Sequence, residues 1–423
     1  MFRARFLRVA AMGAVAGCLA FCSAIAYAQE GANEADPAPT LEVAAPQIED
    51  QISAAEMQDL MLLAEQTDAP LDEVVNRYAW NDNFAMAAAQ IRDTYSDLFV
   101  SAEIVDANHA WVAFKGSPPD GVQAVLDSFA EAAPSVKVEL RGGHGYSERE
   151  LQASIESVHY AIYESPVVQE VATSFDADTR TITTTVVLAN ELQESVVVDL
   201  NATAQAALGT VSARSLGIAA VVVISDRAVL GGVDSSGYHY GGEVLSSCTS
   251  GFGTRASSST SGTHGIATAG HCGNSQNDDG SALTYQGGHV STHGDFQWHI
   301  GPRLESDDFY AGTASTTETN LRDVSAVGSP TVGQTLCKNG ATNHASCQEV
   351  RALHHCNGSA CNLVMMGARL AAGGDSGGPI YWANTAYGLH QGWKYDPVWP
   401  ADRDLFSRAD RIDNALGVWI ATN

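Results

Sequence analysis

From Leu230 onward the chain changes to short segments that are rich in Gly, Ser and Thr. Short strands separated by frequent turn residues are typical of an all-β sandwich or barrel. The composition agrees, because 39 glycines against 13 prolines allow many turns without a collagen-like period. With 45% hydrophobic residues the chain can also build packed cores, which excludes a wholly disordered protein. We therefore predict an all-β domain over residues 231–423.

Charge divides the 423 residues into three parts, within the two or three domains expected for this length. Residues 1–28 carry only basic charges, whereas residues 29–230 hold 32 acidic and 9 basic residues. Residues 231–423 have a smaller net negative charge, with 17 acidic and 10 basic residues. A net charge of −27 repels phosphate backbones, so we do not expect nucleic acid as a partner.

The first 28 residues have the three parts of a secretory signal peptide. Met1–Arg8 is basic, Val9–Ala26 is almost purely apolar, and Ala26-Tyr27-Ala28 forms an A-x-A cleavage site. A membrane anchor is less favoured because the apolar run is barely long enough to span a bilayer. Lipid attachment at Cys18 is less favoured because the next eight residues stay apolar. We predict export, cleavage after Ala28, an extracellular location and no membrane association after cleavage.

Residues 29–230 mix helical and strand patterns, which indicates an α+β domain after a disordered lead-in over residues 29–50. No residues in this segment have the spacing of a catalytic motif, so we predict that it is a scaffold or a part that is removed. The predicted elements are helices over Ile52–Asn76, Asn83–Phe99, Gly121–Ala132 and Glu148–Tyr163, strands over Ala102–Val105, Trp111–Phe114 and Val136–Leu140, and a hairpin over Ser174–Leu188.

All cysteines outside the leader lie after residue 240, and their even number in an exported chain predicts disulfides. Spacing alone leaves their connectivity open. The six positions are Cys248, Cys272, Cys337, Cys347, Cys356 and Cys361.

Three local motifs in residues 231–423 contain the residue types that enzymes use for acyl transfer to a serine. Thr268-Ala269-Gly270-His271-Cys272 contains a histidine, Gly294-Asp295-Phe296-Gln297-Trp298 an acid, and Gly373-Gly374-Asp375-Ser376-Gly377-Gly378-Pro379 a serine among glycines. A serine hydroxyl needs a base such as His271, and a buried carboxylate such as Asp295 fixes the imidazole tautomer. In the glycine-rich turn, the N–H groups of Gly374 and Ser376 can both point to a developing oxyanion.

The order His271, Asp295, Ser376 and the two flanking motifs resemble the chymotrypsin-like serine endopeptidases, in particular the bacterial secreted streptogrisin and α-lytic branch. The resemblance implies two perpendicular antiparallel six-stranded β-barrels with the three residues in the cleft between them. It also implies that residues 29–230 are a pro-region, which catalyses folding and inhibits the enzyme until it is removed. We predict cleavage between about Asp226 and Gly242, where the apolar run Ile218–Ile224 gives way to Gly- and Ser-rich chain. The expected protein is a monomer without cofactor or metal, acting on proteins or peptides.

The resemblance also implies contacts within the active half. It pairs Cys248 with Cys272 and Cys337 with Cys347, which leaves Cys356 and Cys361 as a third pair without a match in the family. It further implies a buried Lys338–Asp375 ion pair that organises the oxyanion hole, the alternative being a solvated surface lysine.

Specificity is the most ambiguous property. The resemblance places Leu370 at the base of the substrate pocket and the strand of His390, Gln391, Gly392 and Trp393 along its wall, where it pairs with substrate. Leu370 argues against Lys or Arg at P1. Gln391 replaces a serine that supports the acid in the family, and Trp393 replaces a pocket glycine. We favour an apolar P1 residue, with glutamate as the alternative through His390.

Three alternatives differ in class. The chain could be a catalytically inactive, protease-like secreted binding protein, which labelling of Ser376 by a fluorophosphonate would distinguish. A metalloenzyme is a second alternative because the chain has 13 histidines, but they lack ligand spacing and no His-Glu-x-x-His occurs. The acidic segment could also be a binding domain that stays attached.

Overall fold

The computed structural model describes residues 52–177, 179–189, 194–210, 217–224, 239–257, 262–278, 280–301, 305–312, 321–396 and 401–423. They belong to one compact unit, Val43–Asn423, and the other unit, Met1–Glu42, lies outside the described residues. The predicted signal peptide, the lead-in over residues 29–50 and most of the predicted cleavage region also lie outside them. Among the described residues, no helix has the length and apolar character needed to cross a membrane.

We call residues 52–224 the N-terminal part and residues 239–423 the C-terminal part. The helices are α1 (Ala54–Thr67), α2 (Leu71–Tyr78), α3 (Asn81–Thr94), α4 (Val122–Ala132), α5 (Glu148–Tyr163), α6 (Glu194–Thr210) and α7 (Ile412–Leu416). The strands of the N-terminal part are β1 (Phe99–Asp106), β2 (His109–Phe114), β3 (Lys137–Arg141), β4 (Val168–Asp176), β5 (Thr181–Leu188) and β6 (Ala219–Ile224). Those of the C-terminal part are β7 (His239–Gly241), β8 (Gly253–Arg255), β9 (His264–Thr268), β10 (Gln276–Asp278), β11 (Ser281–Ser291), β12 (Gly294–Ile300), β13 (Glu305–Tyr310), β14 (Leu321–Asp323), β15 (Ala326–Val327), β16 (Thr335–Lys338), β17 (Ser346–Asn357), β18 (Ala360–Met366), β19 (Pro379–Trp382), β20 (Thr385–Asp396), β21 (Ala401–Arg408) and β22 (Trp419–Ile420).

The N-terminal part is an α+β structure, but two predicted helix boundaries are wrong. The helix expected over Ile52–Asn76 is two helices, because Asp68 adopts a left-handed conformation with φ 53° and Pro70 caps the next helix. The helix expected over Asn83–Phe99 ends at Thr94, since Phe99 already pairs with Phe114 as the start of β1. Helix α6 has no counterpart among the predicted elements.

Two apolar clusters organise the N-terminal part. In the first, β1, β2 and β3 form a sheet whose last two strands run parallel, with α4 as the crossover. Helices α3 and α4 cover this sheet through the buried rings of Phe84 and Phe129. In the second, α5 and α6 pack on the hairpin β4–β5, and β6 pairs parallel to β5. A capping box of Ser147 and Glu150 starts α5.

The C-terminal part is almost entirely β. One sheet has six strands in the order β10-β11-β12-β9-β8-β22, and a larger one contains β16, β19, β20, β21, β18 and β17. This agrees with the all-β prediction, while the division into two six-stranded barrels remains a prediction. The three disulfides Cys248–Cys272, Cys337–Cys347 and Cys356–Cys361 are all present in this part.

The larger sheet continues from the C-terminal part into the N-terminal part. Strand β17 pairs antiparallel with β4, with Cys356 opposite Thr173 and Asn357 opposite Ala172, so that β4, β5 and β6 extend the sheet. The two parts also share an apolar core, in which Leu60 and Leu63 of α1 pack with Trp382 and Tyr387 of the C-terminal part.

Candidate active site

Strand pairing brings His271 and Asp295 together. Strand β9 ends three residues before His271, and Asp295 is the second residue of β12, which runs antiparallel to β9. His271 Nδ1 lies 2.5 Å from Asp295 Oδ2, and the His271 backbone N–H donates to Asp295 Oδ1 at 2.9 Å. Asp295 is fully buried, whereas the His271 side chain is 39% exposed. The carboxylate therefore fixes the ring through Nδ1, and the other ring nitrogen, Nε2, is not used in this contact.

The charge of Asp295 tunes this histidine. Burial alone would lower the pKa of His271, but the hydrogen bond and negative charge of Asp295 outweigh it and raise the pKa above its ordinary value. A raised pKa makes the imidazole a better proton acceptor when a neighbouring hydroxyl attacks a carbonyl. Among the described residues, the His271 ring has no hydrogen bond other than the one to Asp295.

Ser376 lies in the turn between β18 and β19, and this turn packs against the segment that ends in His271. The Ser376 carbonyl accepts a hydrogen bond from Thr249 N–H at 2.7 Å and lies 3.9 Å from Cys272 Sγ. Gly377, with φ 90°, approaches so closely that a β-carbon there would overlap Thr268 Oγ1. The glycine after the serine is therefore required for this contact.

The turn contains two backbone donors that make no hydrogen bond within the described part of the chain. Gly374 has φ 100°, and its carbonyl accepts from Thr249 Oγ1 at 2.6 Å. Within the described part of the chain, the N–H groups of Gly374 and Ser376 have no hydrogen-bond partner. Two backbone donors without partners beside a serine are what an oxyanion hole requires.

Asp375 is buried beside the serine and has four donors. Lys338 Nζ lies 3.1 Å from its Oδ2, and the two side chains are 3% and 0% exposed. Three backbone N–H groups complete the set, from Ala372 at 2.9 Å, Thr342 at 2.8 Å and Asn343 at 3.0 Å. Burial lowers the pKa of Lys338, and the charge of Asp375 opposes that shift. This pair ties the serine turn to the loop that the Cys337–Cys347 disulfide closes.

The residues assigned to the substrate pocket differ in where they point. The His390 side chain is 2% exposed and lies 3.6 Å from Asp404, so it faces the interior. Gln391 accepts a hydrogen bond from Asn357 at 3.4 Å, away from Asp295. Trp393 lies under the guanidinium of Arg369, 3.3 Å from the ring centroid.

Leu370 and Gly392 complete the pocket residues. Leu370 is half-buried, and its backbone N–H donates to Asp404 at 2.7 Å. Gly392 pairs with Leu405 across β20 and β21, which places the strand of the pocket wall beside β21.

Sequence reasoning missed Ser407, which supports Asp295. The Asp295 N–H donates to Ser407 Oγ at 2.9 Å, and both residues are fully buried. Ser407 lies on β21, far along the chain from β12, and no motif surrounds it, so only the fold reveals this contact.

Among the described residues, two groups of side chains are close enough to hold a metal ion. They are His159 with Cys356 and Cys361, and His271 with Cys248 and Cys272. In each group both sulfurs are joined in a disulfide, so neither offers a thiolate ligand.

No family model matches the sequence, and no curated protein matches it. Among solved structures, the chain is similar to a Nocardiopsis protease (18% identity, TM-score 0.36), covering 44% of this chain and 100% of that one. It is also similar to a chymotrypsin from Cellulomonas bogoriensis (21% identity, TM-score 0.35), covering 44% of this chain and 98% of that one. A third, a glutamic acid specific serine protease, is 23% identical with a TM-score of 0.35, covering 43% of this chain and 100% of that one. The solved structures similar to this chain are chymotrypsin-like serine proteases.

Proposed function

We propose that this protein is a secreted serine endopeptidase, made as a pre-pro zymogen, that hydrolyses peptide bonds through His271, Asp295 and Ser376. The observation that carries the proposal is the His271–Asp295 pair, with contacts of 2.5 and 2.9 Å, beside the turn that holds Ser376. The motifs around all three residues support it.

The proposed reaction follows from the roles assigned to the three residues. His271 Nε2 takes the Ser376 Oγ proton as the oxygen attacks the carbonyl carbon of the scissile bond. The oxygen that becomes negative is stabilised by the N–H groups of Gly374 and Ser376. His271 then gives its proton to the leaving amine, which departs and leaves an acyl-enzyme. Water, deprotonated by the same histidine, attacks the ester and restores the serine.

Residues 29–230, which include the N-terminal part, are proposed to be the pro-region, with residues 1–28 as the leader and residues 231–423 as the protease domain. The pro-region assignment is supported by the pairing of β4 with β17, since a preformed strand edge lowers the cost of non-local β pairing during folding. The Glu170 carboxylate of β4 also lies 3.7 Å from Lys394, which follows the proposed substrate strand. Cleavage near residues 226–242 would separate the two parts.

Labelling tests the activity. The secreted form of the full chain should react with a fluorophosphonate at Ser376 and hydrolyse peptides, and Ser376→Ala should do neither. Loss of such a nucleophile costs about 10⁶-fold in turnover where it has been measured. Ser281→Ala, a half-buried serine at the start of β11, is the control and should behave like the wild type. Near-normal hydrolysis by Ser376→Ala would contradict the assignment.

A second experiment tests the pro-region. Residues 29–230 added in trans should inhibit the active enzyme and speed its refolding after denaturation. N-terminal sequencing of the secreted form should give a start between Asp226 and Gly242. A secreted enzyme that keeps the whole N-terminal part covalently attached and is fully active would contradict this part of the proposal.

A further inference from the structure

A second buried carboxylate, besides Asp375, holds the segment that leads to the serine. Asp404 lies on β21 and is 1% exposed. Its Oδ2 accepts hydrogen bonds from Leu370 N–H at 2.7 Å, Ala371 N–H at 3.1 Å and the Gln348 side-chain amide at 2.9 Å. Its own backbone N–H donates to the Ala368 carbonyl at 2.9 Å. Ala368, Leu370 and Ala371 are therefore bound to β21 through Asp404, and Arg369 between them lies 3.6 Å from Asp402 of the same strand.

Asp375 holds the residue that follows this segment, Ala372, in the same way. Its Oδ2 accepts from Ala372 N–H at 2.9 Å, so three consecutive amides, 370 to 372, are held by two buried acids. The Ala372 carbonyl in turn accepts from Asp375 N–H at 3.2 Å. These contacts end directly before Ser376, in the turn whose N–H groups form the proposed oxyanion hole.

Each acid has a nearby basic partner. Lys338 lies 3.1 Å from Asp375, and His390 Nε2 lies 3.6 Å from Asp404 Oδ1. Burial alone would raise the pKa of Asp404, but His390 and the hydrogen bonds to its Oδ2 hold the pKa below its ordinary value. Asp404 is therefore ionised at neutral pH and can accept all three donors.

We propose that Asp404 is a positioning residue of the active site, which fixes residues 370–372 and thereby places the Gly374 and Ser376 N–H groups. The inference rests on the proposed peptidase function. Oxyanion donors act only when they are held in place before the charge develops. A loop without secondary structure, such as 367–373, needs outside contacts to be held in this way.

The alternative role for a carboxylate near a pocket wall is to bind a substrate cation. The geometry disfavours it, because Asp404 is 1% exposed and its Oδ2 is occupied by three donors. The two roles predict different kinetics. A positioning residue changes transition-state stabilisation for every substrate, whereas a recognition residue changes the ranking of P1 residues.

The variant Asp404→Asn keeps the size of the side chain and removes its charge. For the secreted enzyme we expect kcat to fall about ten- to a hundredfold, less than the loss of a whole oxyanion donor, with KM changed less than about threefold. A peptide boronate, which mimics the tetrahedral state, should lose affinity by the same factor as kcat. The ranking of P1 Leu, Phe, Glu and Arg peptides should stay as in the wild type.

Two further variants complete the test. Asp413→Asn, a half-buried carboxylate of α7 whose hydrogen bonds come from Asn414, makes the same chemical change away from this segment; it is the control and should be near wild type. Gln348→Ala removes one donor to Asp404 and should change kcat and boronate affinity in the same direction but less. If thermal unfolding shows that Asp404→Asn does not fold, Gln348→Ala takes its place in the test.

The outcomes separate the two proposals. An active wild type whose Asp404→Asn variant has unchanged kcat, or a changed P1 ranking with unchanged boronate affinity, overturns the positioning role and leaves the peptidase function standing. A wild type that neither hydrolyses peptides nor reacts with a fluorophosphonate at Ser376 overturns the function, and the positioning role falls with it.

Discussion

At the scale of single residues, the serine turn depends on a charge pair that water does not reach. Lys338 and Asp375 are 3% and 0% exposed, and Lys338 also donates to the His344 carbonyl at 3.1 Å. A buried pair of this kind contributes little compared with apolar side chains, but removing one partner leaves an uncompensated charge. The pair therefore matters most when it is broken.

Lys338→Met tests this consequence in the full chain carrying Ser376→Ala, which cannot process itself. Asp375 would keep its three backbone donors but lose its only cation among the described residues, so we expect unfolding to cost about 3–5 kcal/mol less. Urea denaturation measures the difference. Lys137→Met, an exposed lysine of β3, should change stability by less than about 0.5 kcal/mol. A loss below about 1 kcal/mol for Lys338→Met would contradict the expectation.

Residues of the candidate site differ in how well the sequence identifies them. His271 and Ser376 sit in local motifs because their neighbours must be small for the turn and strand to approach, as Gly377 illustrates against Thr268. Ser407 and Asp404 act through contacts between strands that are distant in the chain, and nothing in their local sequence marks them. Such positions become visible only when the sheet is assembled.

At the scale of elements, local patterns predicted most helices and strands of the N-terminal part. Helix α5 has the predicted ends, Glu148 and Tyr163, because a capping box and an apolar stripe mark them. The pairing of β4 with β17 was not predicted, since a strand's neighbours depend on the tertiary fold rather than on its own sequence. Its position makes the C-terminal sheet continuous with the N-terminal part.

Helix α1 should contribute to the stability of the whole unit, because its buried face belongs to the core of the C-terminal part. Leu60 is fully buried in that core, so Leu60→Ala should lower the free energy of unfolding by about 2–5 kcal/mol. Urea denaturation of the full chain carrying Ser376→Ala gives the value. Met61→Ala, on the same helix with a residue 55% exposed, is the control and should be nearly neutral. Equal effects of the two variants would show that α1 does not dock as described.

At the scale of the whole molecule, the acidic N-terminal part contacts the C-terminal part through several carboxyl groups. Few cations lie near these carboxyl groups. Glu56 of α1 lies 3.5 Å from Trp382 Nε1, and Asp82 of α3 accepts a hydrogen bond from the Tyr387 hydroxyl. Asp59 of α1 is 1% exposed and lies 2.9 Å from Arg322. All three acids belong to the N-terminal part and lie close enough to affect one another's pKa, and Arg322 is the only cation among the described residues that acts on them.

Burial raises the pKa of Glu56 to about 7 and that of Asp82 to about 6, and the neighbouring acids add to both shifts. Burial also raises the pKa of Asp59, although Arg322 opposes it. A carboxyl group with a raised pKa takes up a proton on folding. Its contribution is present at low pH and is lost as pH rises through the raised value.

A carboxyl group of helix α5 gives the opposite dependence of stability on pH. Its Glu148 lies 2.9 Å from His354 of β17, and this contact outweighs burial and lowers the pKa of Glu148 to about 2. That contribution is present above the ordinary pKa of a glutamate and is lost as pH falls toward 2. Glu56 and Asp82 therefore set the upper limit of the pH range in which the N-terminal part stays bound, and Glu148 sets the lower limit.

We expect the full chain carrying Ser376→Ala to be most stable between about pH 4 and pH 5, with stability falling on both sides. From about pH 4 up to about pH 7, each of these carboxyls is protonated in the docked state and ionised when it is released, so it favours opening by up to about tenfold per pH unit. The pair Glu56→Gln and Asp82→Asn should flatten the alkaline side alone, and Glu148→Gln the acidic side alone. Thermal midpoints from pH 3 to pH 9 measure both slopes. Glu65→Gln, an exposed glutamate of α1, is the control. An alkaline slope that survives in the double variant would mean that these acids do not limit docking.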